Sequence, residues 1–307
     1  MQEYIGKICL ELVHGSENDP CADDMELDEI LQIVQTRDER EYSQIIAETK
    51  SERMLYHLSL QRQNIVAGLD INKNQTVLEI GSECGAVTGK LAQMAKHVTC
   101  LEISRKKSEI NAYRNRKYDN IDIRVGTLEE ASKGLSSCYD LITLIGVLNQ
   151  GHVTQFGDQT NEEILRTAQT YLKPDGKIVI AIENKYGLKY WAGCRDEYSQ
   201  DFFASIKLSS EEKKIKDLSL NGIRAILKTL GLGEVICYYP YPDYRYTRSI
   251  YSDDYLPQKG DLNYNMCNYG KDRMILFDEA SVYDNLISDN LFPIFSNAFL
   301  LVCGRKE

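Results

Sequence analysis

From Thr76 onward, short apolar runs alternate with segments whose apolar residues recur every three or four positions. Runs of about five to ten mainly apolar residues predict buried strands, and the periodic segments between them predict helices. The predicted strands of this stretch are "TVLEI", "HVTCLEI", "IDIRVG", "YDLITLIGVL" and "KIVIAIE". Strands that alternate with helices at this spacing indicate a doubly wound parallel sheet covered on both faces, and hence an α/β fold.

The remaining residues divide around this core. Residues 1–74 are predicted to form a helical N-terminal region, because segments such as "MELDEILQIVQ" carry apolar residues at helical spacing. The α/β core is predicted to cover residues 75–239 and 297–307, with "EVICYYPYP" and "NAFLLVCG" as two further strands. Residues 240–296 are rich in Tyr, Asp and Asn, and inserts of this length are usually functional, so we expect them to form a substrate cap.

Composition and charge narrow the classes of function. A formal net charge of −10 disfavours nucleic acid or an anionic membrane as the main partner, because both require a basic face. No apolar run reaches the ~20 residues of a membrane span, and the stretch "MQEYIGKICLELVHG" lacks a signal-peptide pattern. The nine cysteines include no C-x-x-C pair, which indicates reduced thiols and no metal site. We therefore expect a cytoplasmic protein without membrane insertion.

The segment "VLEIGSECGAVTG" begins like a nucleotide-binding turn, with a strand followed by an acid and glycines. A dinucleotide-binding G-x-G-x-x-G turn would need glycine where this chain has Glu83, and a carboxylate there would repel a pyrophosphate. S-adenosylmethionine carries no phosphate and tolerates an acid better. Glu102, at the end of the next strand, is placed to accept hydrogen bonds from both hydroxyls of a ribose.

These motifs resemble those of the class I S-adenosylmethionine-dependent methyltransferases. The resemblance rests on "VLEIGSECGAVTG", "CLEIS", "GTLEE", "YDLITLIGVL" and "LKPDGKIVIAIEN". Further motifs such as "YHLSLQRQNI", "ENKYGLKYWAGC" and "YYPYPDY" resemble a bacterial subfamily associated with cell-surface polysaccharide biosynthesis. The resemblance implies a Rossmann-like, seven-stranded sheet that ends in an antiparallel hairpin, with the last strand inserted beside its neighbours.

The resemblance also implies which residues bind S-adenosylmethionine, whose product is S-adenosylhomocysteine. The expected cofactor-binding residues are Glu79, Gly81, Ser82 and Gly85 in the turn, Glu102 and Ile103 at the ribose, Thr127 and Leu128 beside the adenine, and Ile145 below the methionine. Arg62 is a candidate to pair with the cofactor carboxylate. We expect the side chain of Glu83 to face solvent while its backbone serves the turn; the alternative is that it contacts the cofactor's ammonium group or a nearby basic residue.

The acceptor is expected to be a small molecule or a glycan, such as a sugar of a surface polysaccharide. Glu183 and His152 are candidate general bases, because a hydroxyl or ammonium acceptor must lose a proton. Asn184, Tyr190 and Trp191 are candidates to bind the acceptor. The 20 tyrosines suit either a sugar site or the interface of a homodimer. A non-catalytic cofactor-binding protein and a nicotinamide-dependent oxidoreductase remain alternatives.

Overall fold

The computed structural model describes residues 1–13, 19–135, 139–148, 159–196, 200–207, 218–265 and 272–305. The chain divides into two compact units. The first comprises Met1–Ile145 and His152–Val179, and the second comprises Gly146–Gly151 and Ile180–Glu307.

The first unit is built on a mainly parallel sheet. Its strands are β1 (Gln2–Ile5), β2 (Ile8–Leu12), β3 (Thr76–Ile80), β4 (His97–Glu102), β5 (Ile121–Val125), β6 (Tyr139–Ile145) and the first part of β7 (Leu172–Glu183). Their order in the sheet is β1-β2-β5-β4-β3-β6-β7. Strand β3 pairs in parallel with both β4 and β6, and β1 pairs antiparallel with β2. The carboxyl ends of β3 and β4 therefore lie side by side.

Capping side chains begin some helices of the first unit, whereas α2, α4 and α5 have none. The helices are α1 (Met25–Thr36), α2 (Tyr42–Thr49), α3 (Glu52–Leu58), α4 (Asn64–Ala67), α5 (Thr88–Met94), α6 (Arg105–Asn115), α7 (Leu128–Ser132) and α8 (Asn161–Thr170), with 3-10 turns at Glu39–Glu41 and Leu60–Gln63. Asp24, Ser51 and Ser104 accept hydrogen bonds from backbone N–H groups in the first turns of α1, α3 and α6. Such caps satisfy donors that the helix itself leaves unpaired.

The second unit is mainly antiparallel. It contains the last part of β7, α9 (Leu188–Trp191), α10 (Leu220–Thr229), β8 (Leu232–Tyr241), β9 (Ser249–Ser252), α11 (Glu279–Ser288), α12 (Phe292–Phe295) and β10 (Ala298–Arg305). The strand order is β7-β10-β8-β9, and β8 pairs antiparallel with both β10 and β9. The expected α/β class, the C-terminal hairpin and the inserted last strand are confirmed.

The predicted seven strands form the centre of the sheet, in the order β5-β4-β3-β6-β7-β10-β8. Among the described residues, the hairpin β1–β2 and the strand β9 extend it to ten strands. The N-terminal region is consequently not purely helical. Strand β2 joins β5 in parallel and buries Ile8 and Leu10 completely. Four- and five-residue strands carry too few residues for a clear period, so only the partner strand identifies them.

The tyrosine-rich region supplies much of the core of the second unit. Residues 240–296 contribute the end of β8, all of β9, and the helices α11 and α12. Among the described residues of 239–296, the tyrosines that are at most 8% exposed are Tyr239, Tyr241, Tyr244, Tyr246, Tyr251 and Tyr283. The ring of Tyr239 packs edge-on against Phe292 at 5.6 Å, and its hydroxyl donates to Asp253 at 2.5 Å. These buried tyrosines act mainly in packing, so their abundance does not indicate sugar binding.

Two further observations concern membranes and metals. Within the part of the chain that the structure describes, no helix has the length and apolarity needed to span a bilayer. Among those same residues, no group of three or more His, Cys, Asp and Glu side chains is arranged to hold a metal ion.

Candidate functional site

The turn between β3 and α5 contains three residues in the left-handed backbone region. Gly81, Glu83 and Gly85 have φ angles of 75°, 47° and 72°. The N–H of Gly81 donates to the carbonyl of Leu101 at 2.9 Å, which fixes the turn to the adjacent strand β4. Glycine adopts such angles without strain, whereas a residue with a Cβ incurs a cost of roughly 1–2 kcal/mol. Glu83 is therefore kept in this conformation by its surroundings.

Those surroundings are a tyrosine and a group of basic residues. The hydroxyl of Tyr56 donates to Glu83 Oε2 at 2.8 Å. Arg62 Nη2 and Lys107 Nζ lie 3.8 and 3.9 Å from the Glu83 carboxylate. Burial alone would raise the pKa of Glu83, but Lys107, His57 and Arg62 lower it to about 2. The expectation that Glu83 faces solvent is wrong, because the N-terminal region places Tyr56, His57 and Arg62 against the turn and α6 places Lys107 there.

The turn between β3 and α5 contacts the N-terminal region through residues of α3 and of the 3-10 turn Leu60–Gln63. Arg62 is 3% exposed, and its guanidinium lies 4.2 Å from the ring centroid of Tyr56 and donates to the Tyr56 hydroxyl. His57 packs edge-on against the same ring at 5.0 Å. Burial lowers the pKa of His57 to about 3, so this imidazole is neutral at physiological pH. The sequence analysis selected Arg62 as a partner of the cofactor carboxylate, and it named neither Tyr56 nor Lys107.

Glu102 closes the other side of the turn. Its carboxylate, 2% exposed, accepts hydrogen bonds from the backbone N–H groups of Glu83 at 2.9 Å and Ser104 at 3.1 Å. Burial raises the pKa of Glu102, and nearby Lys107 counteracts this rise. A carboxylate has about four acceptor positions, so two remain for further donors. The residue is thus fixed in place, and these two bonds leave part of its acceptor capacity unused.

Glu79 belongs to a buried polar network instead of facing outward from the strand end. It accepts a hydrogen bond from the Thr88 hydroxyl at 2.6 Å, and Asn111 donates to that hydroxyl at 3.1 Å. Asn115 extends the network by donating to Asn111 and to the carbonyl of Gly85. Burial raises the pKa of Glu79 to about 7. The three partner residues were missed, although two asparagines four positions apart on α6 are a signal for a buried polar pair.

A small cavity lies at the centre of these groups. Its volume is about 10 Å³, close to the space of one water molecule. Five of the predicted cofactor residues are among those that line it, namely Arg62, Glu79, Gly81, Ser82 and Ile145. Tyr56, His57 and Glu83 also line it. A molecule of the size of S-adenosylmethionine must extend beyond this cavity or displace side chains that surround it.

The other predicted cofactor residues have different surroundings. Thr127 is the N-cap of α7, where its hydroxyl exchanges hydrogen bonds with Glu130. Leu128 is 1% exposed and packs into the core. Neither residue lines the cavity, and Gly85, Glu102 and Ile103 do not line it either. Their expected contacts with adenine, ribose or the turn therefore remain predictions.

In the second unit, Glu183 forms ion pairs with two cationic side chains. The carboxylate is buried and lies 2.9 Å from Lys189 Nζ and 2.5 Å from Arg245 Nη2, while Tyr190 donates a hydrogen bond to it. Burial opposes ionisation, but Arg245 and Lys189 lower the pKa of Glu183 to about 2. A carboxylate stabilised so strongly in its charged form is a poor proton acceptor. This arrangement disfavours the predicted role of Glu183 as a general base.

The predicted acceptor residues differ in accessibility. Asn184 is 1% exposed and donates to the carbonyls of Ile294 and Ser296, so its amide holds the chain that leads into β10. Tyr190 is also buried, whereas Trp191 is 40% exposed. Trp191 is thus the most accessible of the three. His152, the other candidate base, lies outside the described residues.

Comparison with protein families gives one match. Residues 59–126 match the family model described as ribosomal RNA adenine dimethylase. This range begins before Arg62 and ends after β5, so it contains the turn, Glu79 and Glu102. The match supports the resemblance to methyltransferases over this part of the chain. No curated protein matches the sequence.

Solved structures that match the chain include several methyltransferases. The CcbJ methyltransferase from Streptomyces caelestis is 13% identical with a TM-score of 0.48, over 80% of this chain and 90% of that one. The mitomycin 7-O-methyltransferase MmcR is 15% identical with a TM-score of 0.46, over 92% and 67%. DhpI, in its complex with SAH, is 16% identical with a TM-score of 0.41, over 68% and 89%. Identities this low do not transfer a substrate to this chain.

Proposed function

We propose that the protein is an S-adenosylmethionine-dependent methyltransferase whose first unit binds the cofactor. The main support for this proposal is the position of Glu102 and its hydrogen bonds. Its carboxylate is buried at the carboxyl end of a parallel strand, is fixed by two backbone N–H groups, and retains acceptor positions for a ribose diol. The family-model match over the same residues supports this assignment.

The charged residues around the turn suit S-adenosylmethionine better than a dinucleotide. Glu83 stands where a dinucleotide-binding G-x-G-x-x-G turn needs a glycine to let the pyrophosphate approach the backbone. Arg62, which lines the cavity, is a cation that can pair with the carboxylate of the methionine moiety. The bound cofactor would supply the electrophilic methyl group. The chain's own residues would bind and orient it and exclude water.

We further propose that the acceptor is a small molecule or a glycan, with Trp191 among the residues that contact it. The support is the accessible indole of Trp191 and the resemblance of the surrounding motif to polysaccharide-associated methyltransferases. An aromatic face suits the C–H surface of a sugar. Glu183 acts in this proposal as a positioning residue, because it holds Lys189, Tyr190 and Arg245 in fixed places.

RNA is a second candidate acceptor, favoured by the family-model match alone. The net charge of −10 opposes it, because RNA binding depends on neutralising phosphates with cationic side chains. The two acceptors are separated by assaying transfer of radiolabelled methyl groups to ribosomal RNA and to cell-surface glycan precursors in parallel. Label in RNA but not in glycans would overturn the glycan proposal and leave the methyltransferase proposal intact.

The cofactor proposal is tested by calorimetry with S-adenosylmethionine and S-adenosylhomocysteine. Glu102→Ala should weaken binding by about 1.5–3 kcal/mol, the usual contribution of a hydrogen bond to a charged group. Glu129→Ala is the matched control, because its side chain is 75% exposed and lies apart from the turn. Unchanged affinity in Glu102→Ala would remove this residue from the site.

Two further measurements separate the alternative functions. Tight cofactor binding without any turnover would identify a non-catalytic binding protein. Binding of a nicotinamide dinucleotide in preference to S-adenosylmethionine would identify an oxidoreductase and overturn the proposal.

A further inference from the structure

Five of the eleven residues that line a second cavity of the first unit, called the basic cleft below, are basic. It lies at the ends of α1 and α6 and beside the 3-10 turn Glu39–Glu41, and it shares no lining residue with the cavity at the cofactor turn. Its volume is about 400 Å³, in the range of small-molecule pockets. Its charged lining residues are Arg37, Arg40, Arg114, Arg116, Lys117, Asp38 and Glu39. In a chain with a net charge of −10, this concentration of cations needs an explanation.

The two acidic side chains of this basic cleft neutralise only part of its charge. Asp38 pairs with Arg40 at 2.8 Å, and Glu39 pairs with Lys117 at 2.8 Å. Arg40 is largely exposed, and ion pairs of exposed side chains are weak. Arg37 pairs at 3.4 Å with Glu41, which lies outside the lining. Arg114 and Arg116 are the two cationic lining residues that pair with no carboxylate among the described residues.

Arg114 is the most unusual of these cations. It is 6% exposed, and its guanidinium donates to the backbone carbonyls of His57 and Leu58 and lies 5.6 Å from the ring centroid of Tyr42. Among the described residues, no carboxylate oxygen lies within 4 Å of it, and its Nε has no hydrogen-bond partner. A buried charge without a counter-ion is costly, so an anion bound beside Arg114 would be stabilised.

Arg116 presents a second guanidinium that is fixed in the same way. Its Nη1 lies 3.4 Å from the carbonyl of Val34 and 3.3 Å from that of Gln35, at the C-terminal end of α1. Because backbone carbonyls already hold both arginines, little side-chain entropy remains to be lost when a ligand binds. A guanidinium has five donors in a planar fork, a geometry that matches the oxygens of a phosphate group.

The rest of the basic cleft is apolar or aromatic. Tyr42 and Tyr113 contribute rings, and Leu60 is 43% exposed at its edge. We propose that this cleft binds a small phosphate ester, with the phosphate at Arg114 and Arg116 and a ring or apolar group against Tyr42, Tyr113 and Leu60. The site is independent of the proposed methyl transfer. The acidic chain as a whole disfavours a nucleic-acid polyanion as the occupant.

The probes for this site are inorganic phosphate and phenyl phosphate, titrated into the full chain by calorimetry at constant ionic strength. Saturable binding of both is expected, with phenyl phosphate binding more tightly because its ring contacts the apolar wall. Arg116→Gln should weaken phenyl phosphate at least about tenfold, the loss of one charge-assisted contact. Arg105→Gln is the matched control, because this residue of α6 pairs with Glu109 and Glu3 and does not line the cleft.

Arg116→Gln should bind S-adenosylhomocysteine as the wild type does, which shows that it is folded. Glu102→Ala should retain phenyl phosphate, so that failure of this site and failure of the cofactor site are distinguishable. Absence of saturable phosphate binding, or equal affinities in Arg116→Gln and Arg105→Gln, would overturn the proposal. An RNA oligonucleotide that displaces phenyl phosphate and binds more tightly would also overturn it, in favour of nucleic acid.

Discussion

Glu83 combines an unfavourable backbone angle with a favourable set of side-chain partners. Its φ of 47° costs roughly 1–2 kcal/mol for a residue with a Cβ. Its carboxylate receives the Tyr56 hydroxyl and faces Arg62 and Lys107. We expect the partners to outweigh the strain. Removing the Glu83 carboxylate would leave Arg62 and Lys107 without this counter-ion. Glycine at this position would free the turn but would lose the cluster.

We therefore expect Glu83→Gln to lower the free energy of unfolding by about 1–3 kcal/mol at pH 7. Glu83→Gly should recover part of that loss, by up to ~1 kcal/mol, because it removes the backbone strain. Urea unfolding of both variants and the wild type measures this. Wild-type stability in Glu83→Gln would show that the carboxylate contributes nothing to the fold.

Glu79 makes stability depend on pH in a defined direction. Its pKa is about 7 in the folded protein and about 4.5 in the unfolded chain. Between these values the folded state keeps a proton that the unfolded state has released, so rising pH favours unfolding. The contribution of protonated Glu79 to the free energy of unfolding is fully present below pH 4.5 and is lost as the pH rises through 7. The total change in the free energy of unfolding is about 3 kcal/mol.

Glu79→Gln mimics the protonated carboxyl group and should remove this component. Thermal unfolding at pH 5 and pH 8 should show a smaller stability loss in Glu79→Gln than in the wild type. Glu129→Gln serves as the exposed control and should behave as the wild type does. Equal pH dependence in Glu79→Gln and the wild type would show that Glu79 titrates normally.

At the scale of elements, helices α5 and α6 meet through glycine and asparagine. A Cβ added at Gly89 would lie 2.4 Å from Asn115 Oδ1, closer than any normal contact. One at Gly85 would lie 2.2 Å from Asn111 Oδ1. The glycines of this segment therefore allow α6 to approach the turn, and the asparagines hold it there by hydrogen bonds. The conformation of the turn and the packing of α6 against it therefore depend on the same glycines and asparagines.

Gly89→Ala should consequently destabilise the protein by about 1–3 kcal/mol, the usual cost of overpacking. Gly68→Ala is the matched control, because a Cβ there meets nothing within 4 Å. The double variant Gly89→Ala/Asn115→Ala should recover stability relative to the sum of the single changes. Chemical denaturation of the wild type, Gly89→Ala, Asn115→Ala and the double variant measures the coupling between the two positions. Equal stability of Gly89→Ala and Gly68→Ala would contradict the packing argument.

At the scale of the whole molecule, residues 240–296 are part of the core of the second unit. Tyr283 is fully buried, and its ring contacts those of Tyr241 and Phe292 at about 6 Å. Replacing residues 240–296 with a Gly-Ser linker should therefore prevent cooperative folding of the second unit instead of only removing a cap. Circular dichroism and size-exclusion chromatography test this. A monomeric variant that melts at the wild-type temperature would show that the segment is an independent decoration.

The sequence alone determined the α/β class, the parallel strands and the positions of Glu79 and Glu102. These follow from local patterns, since a buried strand is a short apolar run and a strand-end residue is defined by where that run stops. The cofactor turn was likewise visible in its glycines.

Only the tertiary structure decided the environments of those residues. It brought Tyr56, Arg62 and Lys107 to Glu83, and so turned an expected solvent-facing acid into an ion-paired one with a low pKa. It also paired β2 with β5 and buried the tyrosines around Tyr239. Each of these outcomes depends on residues far apart in the chain. Burial and charge pairing are properties of what surrounds a side chain, and no local pattern records that.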